Sequence, residues 1–188
     1  MVYDCRRFTP NSFKRTRKTL KLLIILLALL CSSAIYAESD TLRPFDSTSL
    51  KKITHHYSGK PFLLVLWSID CPACYDELAL LSPWLKKYSA VNLVLLSTDP
   101  KDQQGEVKKV LNEYQLSHRE NWIFGSQAHA LLRQSIDPNW YGELPRSYLF
   151  DPQHKPFAHS GVLSNPTLEK IAGIFYTPEQ LKLFKNAH

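Results

Sequence analysis

The chain has 188 residues, of which 44% are hydrophobic, so one domain with an ordinary apolar core is expected. Its formal net charge of +6 is concentrated at the start, because residues 1–21 contain seven Lys or Arg and one Asp. The rest of the chain is balanced in charge. This excludes the broad basic surface of a nucleic-acid-binding domain, and no nucleic-acid partner is expected.

An apolar segment at residues 22–37 follows the basic start and ends in small residues. These are the parts of a secretory signal, with cleavage expected after Ala34 or Ala37. The alternative is an uncleaved membrane anchor, because the segment is only slightly shorter than the ~17 apolar residues that can span a bilayer. Residues 1–37 therefore predict a periplasmic or other extracytoplasmic protein, soluble after cleavage or tethered at its N terminus.

Strand and helix patterns alternate after this leader. Residues 38–48 are polar and predict a linker, and Ser49 is placed to cap a short helix at residues 50–56. Apolar runs at residues 62–68 and 91–98 predict strands buried on both faces, each followed by an amphipathic helix. The remaining predicted elements are a strand at 122–124, a helix at 127–136, an antiparallel hairpin of 147–150 with 157–163, and two helices that begin near Asn165 and Thr177.

Two cysteines in the spacing C-x-x-C follow the first buried strand. Pro72 suits a first helical turn, so Cys71 is expected at or next to the N-cap, where free N–H groups and the helix dipole favour a thiolate. Cys74 returns to the same helical face, so the pair can close into a disulfide and reopen. Zinc is disfavoured because it needs about four ligands and no further cysteines or histidines stand at ligand spacing.

The other two cysteines, Cys5 and Cys31, lie in the leader. Its removal would leave Cys71 and Cys74 as the only thiols of the mature chain. A bond between cysteines three positions apart closes a very short loop and contributes little stabilising entropy. Redox reactivity therefore explains this pair better than a structural role.

Residues 62–78, with Cys71, Cys74 and Glu77, resemble the active-site segment of the thioredoxin superfamily. The glutamate three positions after the second cysteine makes the segment most similar to TlpA-like extracytoplasmic thiol:disulfide oxidoreductases. Residues 144–161 resemble the segment in which that family places a cis-proline, a strand, a turn and a second strand. The resemblance implies an α/β domain at residues 49–188 with the thioredoxin fold, a central mixed β-sheet flanked by helices.

The resemblance also implies what individual residues do. Cys71 and Cys74 would be the catalytic pair, and Glu77 would take up or release the proton of Cys74. The Leu144-Pro145 bond would be cis, which leaves the Leu144 backbone free to bind an extended substrate. By base rate alone, Glu77 is as readily an ordinary solvated helix residue, and most X-Pro bonds are trans.

The expected function is that of an exported protein disulfide reductase without a bound cofactor or metal. The resemblance suggests a place in cytochrome c maturation or in a metal-stress thiol pathway. Its partners would be protein disulfide substrates and a membrane electron donor that recharges the dithiol. The alternatives are an oxidant that inserts disulfides, and a binding module of the same fold without redox turnover.

Overall fold

The computed structural model describes residues 42–186 of the chain. The predicted leader at residues 1–37 and the first part of the predicted linker lie outside the described residues. Among the helices that are described, none has both the length and the apolar character needed to cross a membrane.

Strands and helices alternate through most of the described chain. In order, they are β1 Arg43–Phe45, α1 Ser49–His56, β2 Phe62–Trp67, α2 Pro72–Lys87, β3 Leu93–Ser97, a 3-10 turn Lys101–Gln103, α3 Gln104–Glu113, β4 Glu120–Phe124, α4 His129–Ile136, β5 Arg146–Phe150, β6 Pro156–Ser160, α5 Asn165–Phe175 and α6 Pro178–Asn186.

All of these strands belong to one sheet with the order β1-β4-β3-β2-β5-β6. The pairs β1–β4, β4–β3 and β3–β2 are parallel, whereas β2–β5 and β5–β6 are antiparallel. Parallel neighbours need crossover connections, and α2 and α3 provide them between β2, β3 and β4. The predicted α/β class, with a mixed sheet flanked by helices, is confirmed.

The core consists of two apolar layers, one on each face of the sheet. Every residue of β2 is buried. Its odd-numbered residues join the layer under α2, α3 and α5, and its even-numbered residues join the layer under α1 and α4. Full burial of one large apolar side chain contributes about 1.5–3 kcal/mol. Because β2 is buried on both faces, the position of its C-terminal end is firmly fixed.

The structure corrects the predicted linker at residues 38–48, because its residues 43–45 form strand β1. Phe45 is fully buried, pairs with Phe124, and packs its ring 6.1 Å from the rings of Trp122 and Phe124. A three-residue strand is too short to show an alternating pattern. Pro44 also disfavours a strand in the sequence, although an edge strand tolerates it.

The predicted cap of α1 is also corrected. Thr48, and not Ser49, occupies the N-cap position, and its side chain makes no capping bond. Ser49 is buried, where its hydroxyl donates to Asp46 Oδ1 at 3.0 Å and accepts from Asp46 N at 2.9 Å. The hydrogen bond from the Thr48 hydroxyl to Asp46 holds the pKa of that carboxyl well below its usual range.

The two predicted helix starts near the C terminus are confirmed. Ser164 caps α5, and its hydroxyl accepts from Thr167 N at 3.3 Å. At α6, Gln180 Oε1 accepts from Thr177 N at 2.8 Å and Thr177 Oγ1 accepts from Gln180 N at 3.4 Å. This is the reciprocal pattern of a capping box, which the sequence spacing indicated.

Gly125 provides a test of the β1–β4 junction. Its N–H donates to Phe45 O at 2.9 Å, and a Cβ at this position would lie only 2.8 Å from the same oxygen. Gly125→Ala should therefore lower the free energy of unfolding by about 1–3 kcal/mol, because the backbone must shift. Gly105→Ala in α3 is the matched control, since its Cβ would meet nothing within 4 Å.

The control should stabilise the protein by about 0.5 kcal/mol, through loss of unfolded-state entropy. Chemical denaturation of the two variants measures both effects. Equal stability of Gly125→Ala and the original protein would show that the Phe45 backbone does not pack closely against residue 125.

Candidate active site

The centre of the site is a disulfide between Cys71 and Cys74 at the start of α2. Cys71 is the N-cap residue and is partly exposed, and its Sγ accepts a hydrogen bond from Cys74 N at 3.2 Å. Cys74 is completely buried beneath the first turn. The predicted N-cap position is confirmed, and the two sulfur atoms differ sharply in their access to a second protein.

A buried carboxylate fixes the loop that precedes Cys71. Asp99, at the end of β3, is only 3% exposed. Its Oδ1 accepts from Ser68 Oγ at 2.7 Å, and its Oδ2 accepts from Ile69 N at 3.1 Å and from Ser97 Oγ at 2.6 Å. Hydrogen bonds to an ionised acceptor are about twice as strong as those between neutral groups. Asp99 therefore joins the end of β3 to the segment that carries the cysteine.

The same loop is held by contacts from within the motif. Asp70 N donates to Ser68 Oγ at 3.1 Å, and Cys71 N donates to Ser68 O at 3.2 Å. The Tyr75 hydroxyl, one turn into α2, donates to Ile69 O at 2.9 Å. The loop thus enters the helix with its polar backbone groups satisfied, and the direction of the Cys71 side chain is set before any substrate binds.

Sequence reasoning did not identify Asp99 as a site residue. It placed the residue in a polar turn after the second strand, where an aspartate is ordinary. Two serines could have indicated this role. Ser68 comes just after the buried strand β2, and Ser97 is the last residue of the buried strand β3. Since parallel strands end at the same edge of a sheet, polar residues at those ends meet.

Glu77 is completely buried, which corrects the reading of it as a solvated helix residue. Its Oε1 accepts from Ser147 Oγ at 3.3 Å, and its Oε2 accepts from Leu163 N at 2.7 Å. Burial raises the pKa of Glu77, while the bonds from Leu163 N and Ser147 and the field of His159 oppose the rise. It lies one helical turn after Cys74, on the same buried side of α2.

The Leu144-Pro145 peptide bond is cis, as predicted. Arg146, the next residue, pairs with Leu66 of β2, so Pro145 lies at the end of the sheet where β2 runs into the Cys71 loop. Pro145 is buried and Leu144 is partly buried. Within the described residues, no hydrogen bond involves the backbone N–H or C=O of Leu144, which leaves both groups available to a ligand.

The loop before the cis-proline is held by packing and by charge. Trp140 is buried and donates from Nε1 to Glu143 O at 2.9 Å. Arg146 forms ion pairs with Asp137 at 3.3 Å and with Glu143 at 3.1 Å. Tyr141 is 92% exposed and is the only one of these side chains that presents a large apolar surface to solvent.

Comparison with known proteins identifies the fold. No family model matches the chain, and no curated protein matches it. Among solved structures, a secreted Mycobacterium tuberculosis disulfide oxidoreductase homologous to E. coli DsbE is 18% identical with a TM-score of 0.50, and the match covers 63% of this chain and 84% of that one.

Two further structures are similar. Mycobacterium tuberculosis DsbF is 17% identical with a TM-score of 0.52, and the match covers 65% of this chain and 85% of DsbF. A thiol:disulfide interchange protein of the thioredoxin family from Chlorobium tepidum is 17% identical with a TM-score of 0.51, covering 65% of this chain and 83% of that one.

The chain therefore has the thioredoxin fold, and the predicted resemblance is confirmed at the level of the fold. Its structural neighbours are thiol:disulfide interchange proteins, and it carries a C-x-x-C disulfide at the start of a helix. Together these define a protein with the architecture of a thiol:disulfide oxidoreductase.

The contacts of Asp99 predict that it positions Cys71. Asp99→Ala removes the acceptor for Ser68 Oγ and Ile69 N, and it should slow alkylation of reduced Cys71 by iodoacetamide several-fold while costing about 1–3 kcal/mol of stability. Asp99→Asn should restore most of the rate, because its amide oxygen can accept from the loop and its NH₂ can donate to Ser97 Oγ. A folded Asp99→Ala protein with an unchanged alkylation rate would contradict this role.

The raised pKa of Glu77 predicts a pH dependence of stability. The folded protein binds this proton more tightly than the unfolded chain does, so stability falls as pH rises from the unfolded pKa of about 4.3 through the folded value. Glu77→Gln does not titrate and still accepts from Leu163 N. The stability of Glu77→Gln relative to the original protein should therefore increase from pH 4 to pH 8.

Denaturant titrations of the oxidised protein across this range measure the difference. Glu113→Gln, at an exposed position of α3, is the control for general charge effects. A constant difference between Glu77→Gln and the original protein over the whole range would show that Glu77 does not titrate as its burial requires.

Proposed function

We propose that this protein is an exported thiol:disulfide oxidoreductase that reduces disulfides in other extracytoplasmic proteins through Cys71 and Cys74. One observation carries the proposal. The disulfide joins a partly exposed sulfur at a helix N-cap to a fully buried one, which gives the pair an attacking member and a resolving member. The fold of the structural neighbours supports this chemistry.

The reaction begins from the dithiol form. The Cys71 thiolate attacks one sulfur of a substrate disulfide, the substrate S–S bond breaks, and one substrate thiolate leaves. This forms a mixed disulfide between Cys71 and the substrate. Cys74 then loses its proton and attacks Cys71 Sγ, and the second substrate thiolate leaves. Two electrons have passed to the substrate, and the protein is left with the Cys71–Cys74 disulfide.

Three residues outside the pair assist these steps. Glu77 takes up the proton of Cys74 as that thiol becomes a nucleophile, and burial raises the pKa of Glu77, which makes it a better proton acceptor. Leu144 binds the substrate chain through its free backbone N–H and C=O, and Pro145 sets their direction.

The surrounding charges favour a reductant. Pro72 and Ala73, between the cysteines, supply no cation, so only the helix start stabilises the Cys71 thiolate. Asp70, directly before Cys71, adds an acidic side chain next to the thiolate. Negative groups disfavour a further anion, so the dithiol is less stabilised and the disulfide is relatively favoured. A protein of this kind needs a dedicated donor in an oxidising compartment, which we propose is a membrane electron carrier.

The proposal includes the pathway in which the protein acts. One neighbour is described as homologous to E. coli DsbE and as secreted. We assign this chain to extracytoplasmic disulfide reduction, either in cytochrome c maturation or in a metal-stress thiol pathway.

Three measurements test the proposal. Cys74→Ser should accumulate mixed disulfides with substrates in cells, whereas Cys71→Ser should form none, since only Cys71 is exposed enough to attack. The reduction potential should lie nearer the roughly −270 mV of thioredoxin than the roughly −120 mV of a periplasmic oxidant. Acid-quenched alkylation should find the protein mainly reduced in growing cells.

Other outcomes would select the alternatives. A potential above about −150 mV together with a mainly oxidised pool would make the protein an oxidant. Retention of the cellular function after Cys71 is replaced by serine would make it a binding module. Substrate captured only in the cytoplasm would remove the export part of the proposal.

A further inference from the structure

A groove of about 410 Å³ lies between the β5–β6 hairpin and α5. Its floor is apolar and includes Leu149, Leu163 and Ile171. At its rim, Phe157 is 68% exposed and Ile174 is 43% exposed. We call this the β6 groove. Large exposed apolar side chains beside a concave apolar surface are typical of a protein interaction site.

The outer side of the groove is an unpaired strand edge. Strand β6 is the last strand of the sheet and pairs only with β5. Gly161 N donates to Pro145 O, and Asp151 N donates to Lys155 O, at the two ends of this pair. Because bonded and non-bonded positions alternate in an antiparallel pair, residues 155, 157, 159 and 161 turn their backbone groups toward β5.

Residues 156, 158 and 160 consequently turn their backbone groups outward. Ala158 and Ser160 each present a free N–H and C=O at the edge, and Pro156 presents a C=O. The missing N–H of Pro156 costs no bond to β5, which explains why the strand tolerates a proline there. An added strand would find up to five backbone partners on β6.

Lysines outnumber carboxylates at the groove by two to one. Lys155 and Lys170 line it, and in the described part of the chain neither takes part in an ion pair. Asp151 also lines it, but its Oδ1 already accepts from Gln153 N and Lys155 N. An occupant with a carboxylate at the Lys155 end of β6 would therefore find an unpaired cation.

We propose that the β6 groove binds an extended segment of a partner protein, which adds a strand to the edge of β6. Alternate side chains of a strand share one face, so every second residue of the segment would face the groove. Those residues are apolar where they cover Phe157 and Ile174, and acidic where they meet Lys155 and Lys170.

A second copy of this chain fits the edge less well. In an antiparallel self-pairing centred on Ala158, the partner residues nearest to Lys155 would be Ser160 and Gly161, and neither carries a carboxylate. The lysines would stay unpaired, and the second copy would only add two more. Charge complementarity therefore selects a partner with acidic residues. Ser147 and Leu163, which donate to Glu77, also line the groove, but the inference rests on the β6 edge and the two lysines and on neither cysteine.

The probe is the peptide Glu-Thr-Val-Thr-Val-Thr-Glu, acetylated, amidated and labelled with a fluorophore. Its glutamates and valines share one face in an extended chain, and the acidic ends suit either direction of pairing. Anisotropy should show saturable binding, and a matched peptide with Lys in place of Glu should bind at least about tenfold more weakly, a loss of about 1.4 kcal/mol. Amide hydrogen exchange should slow at Ala158 and Ser160.

Two variants at one position separate strand pairing from simple apolar contact. Ala158→Pro removes an outward N–H and leaves the bonds to β5 intact, so it should fold and lose at least about tenfold in affinity, again about 1.4 kcal/mol. Ala158→Val keeps the N–H and should bind as the original protein does. The double variant Lys155→Glu, Lys170→Glu should prefer the Lys peptide. All of these proteins should reduce a small disulfide normally.

Several results would overturn the proposal. One is an absence of binding by the Glu peptide; another is binding that Ala158→Pro leaves unchanged. Concentration-dependent self-association that this variant abolishes would assign the edge to a second copy. If Ala158→Pro does not fold, hydrogen exchange at Ala158 and Ser160 and the charge-reversal variant still decide the question.

Discussion

The burial of β2 on both faces is the constraint on which the site depends. Burial fixes the end of this strand, and the two strands beside it bring the other site residues to the same place. Strand β3 pairs with β2 in parallel and ends next to Asp99, which holds the loop before Cys71. Strand β5 pairs with β2 in the opposite sense and begins just after the cis-proline. One buried strand therefore brings together Cys71, the carboxyl group of Asp99 that holds its loop, and the cis-proline loop.

The site uses carboxylates in two different ways. Asp99 makes three short hydrogen bonds, so its charge serves to hold a backbone conformation. Glu77 is equally buried but accepts only from Ser147 and Leu163 N, and burial raises its pKa. A buried carboxyl group with few donors has a raised pKa and can take up a proton. The contacts of Asp99 suit a fixed scaffold, and the raised pKa of Glu77 suits the proton transfer that we propose for it.

Much of this could be predicted from the sequence, because the relevant patterns are local. The C-x-x-C spacing, the apolar runs and the capping box at Thr177 each lie within a few residues, and resemblance to a family supplied the cis bond at Pro145. Apart from the cap of α1, where Ser49 binds the nearby Asp46, the failures involve distant contacts. Strand β1 has three residues and gains its stability from β4, nearly 80 positions later. The burial of Glu77 depends on Leu163, and the role of Asp99 depends on Ser68, which lies just after β2. Neither contact leaves a local pattern in the sequence.

The two edges of the sheet are protected to different degrees. At β1 the edge is three residues long, Pro44 removes one N–H, and the exposed Arg43 pairs with Glu120 and lies over Trp122. Short strands, prolines and charges are the usual ways in which proteins block unwanted pairing. Strand β6 has five residues, none of them Lys, Arg, Asp or Glu, and it exposes Phe157 beside an apolar groove. An exposed edge of this kind invites pairing with other chains unless a partner covers it. The difference between the edges therefore favours a selected docking function at β6.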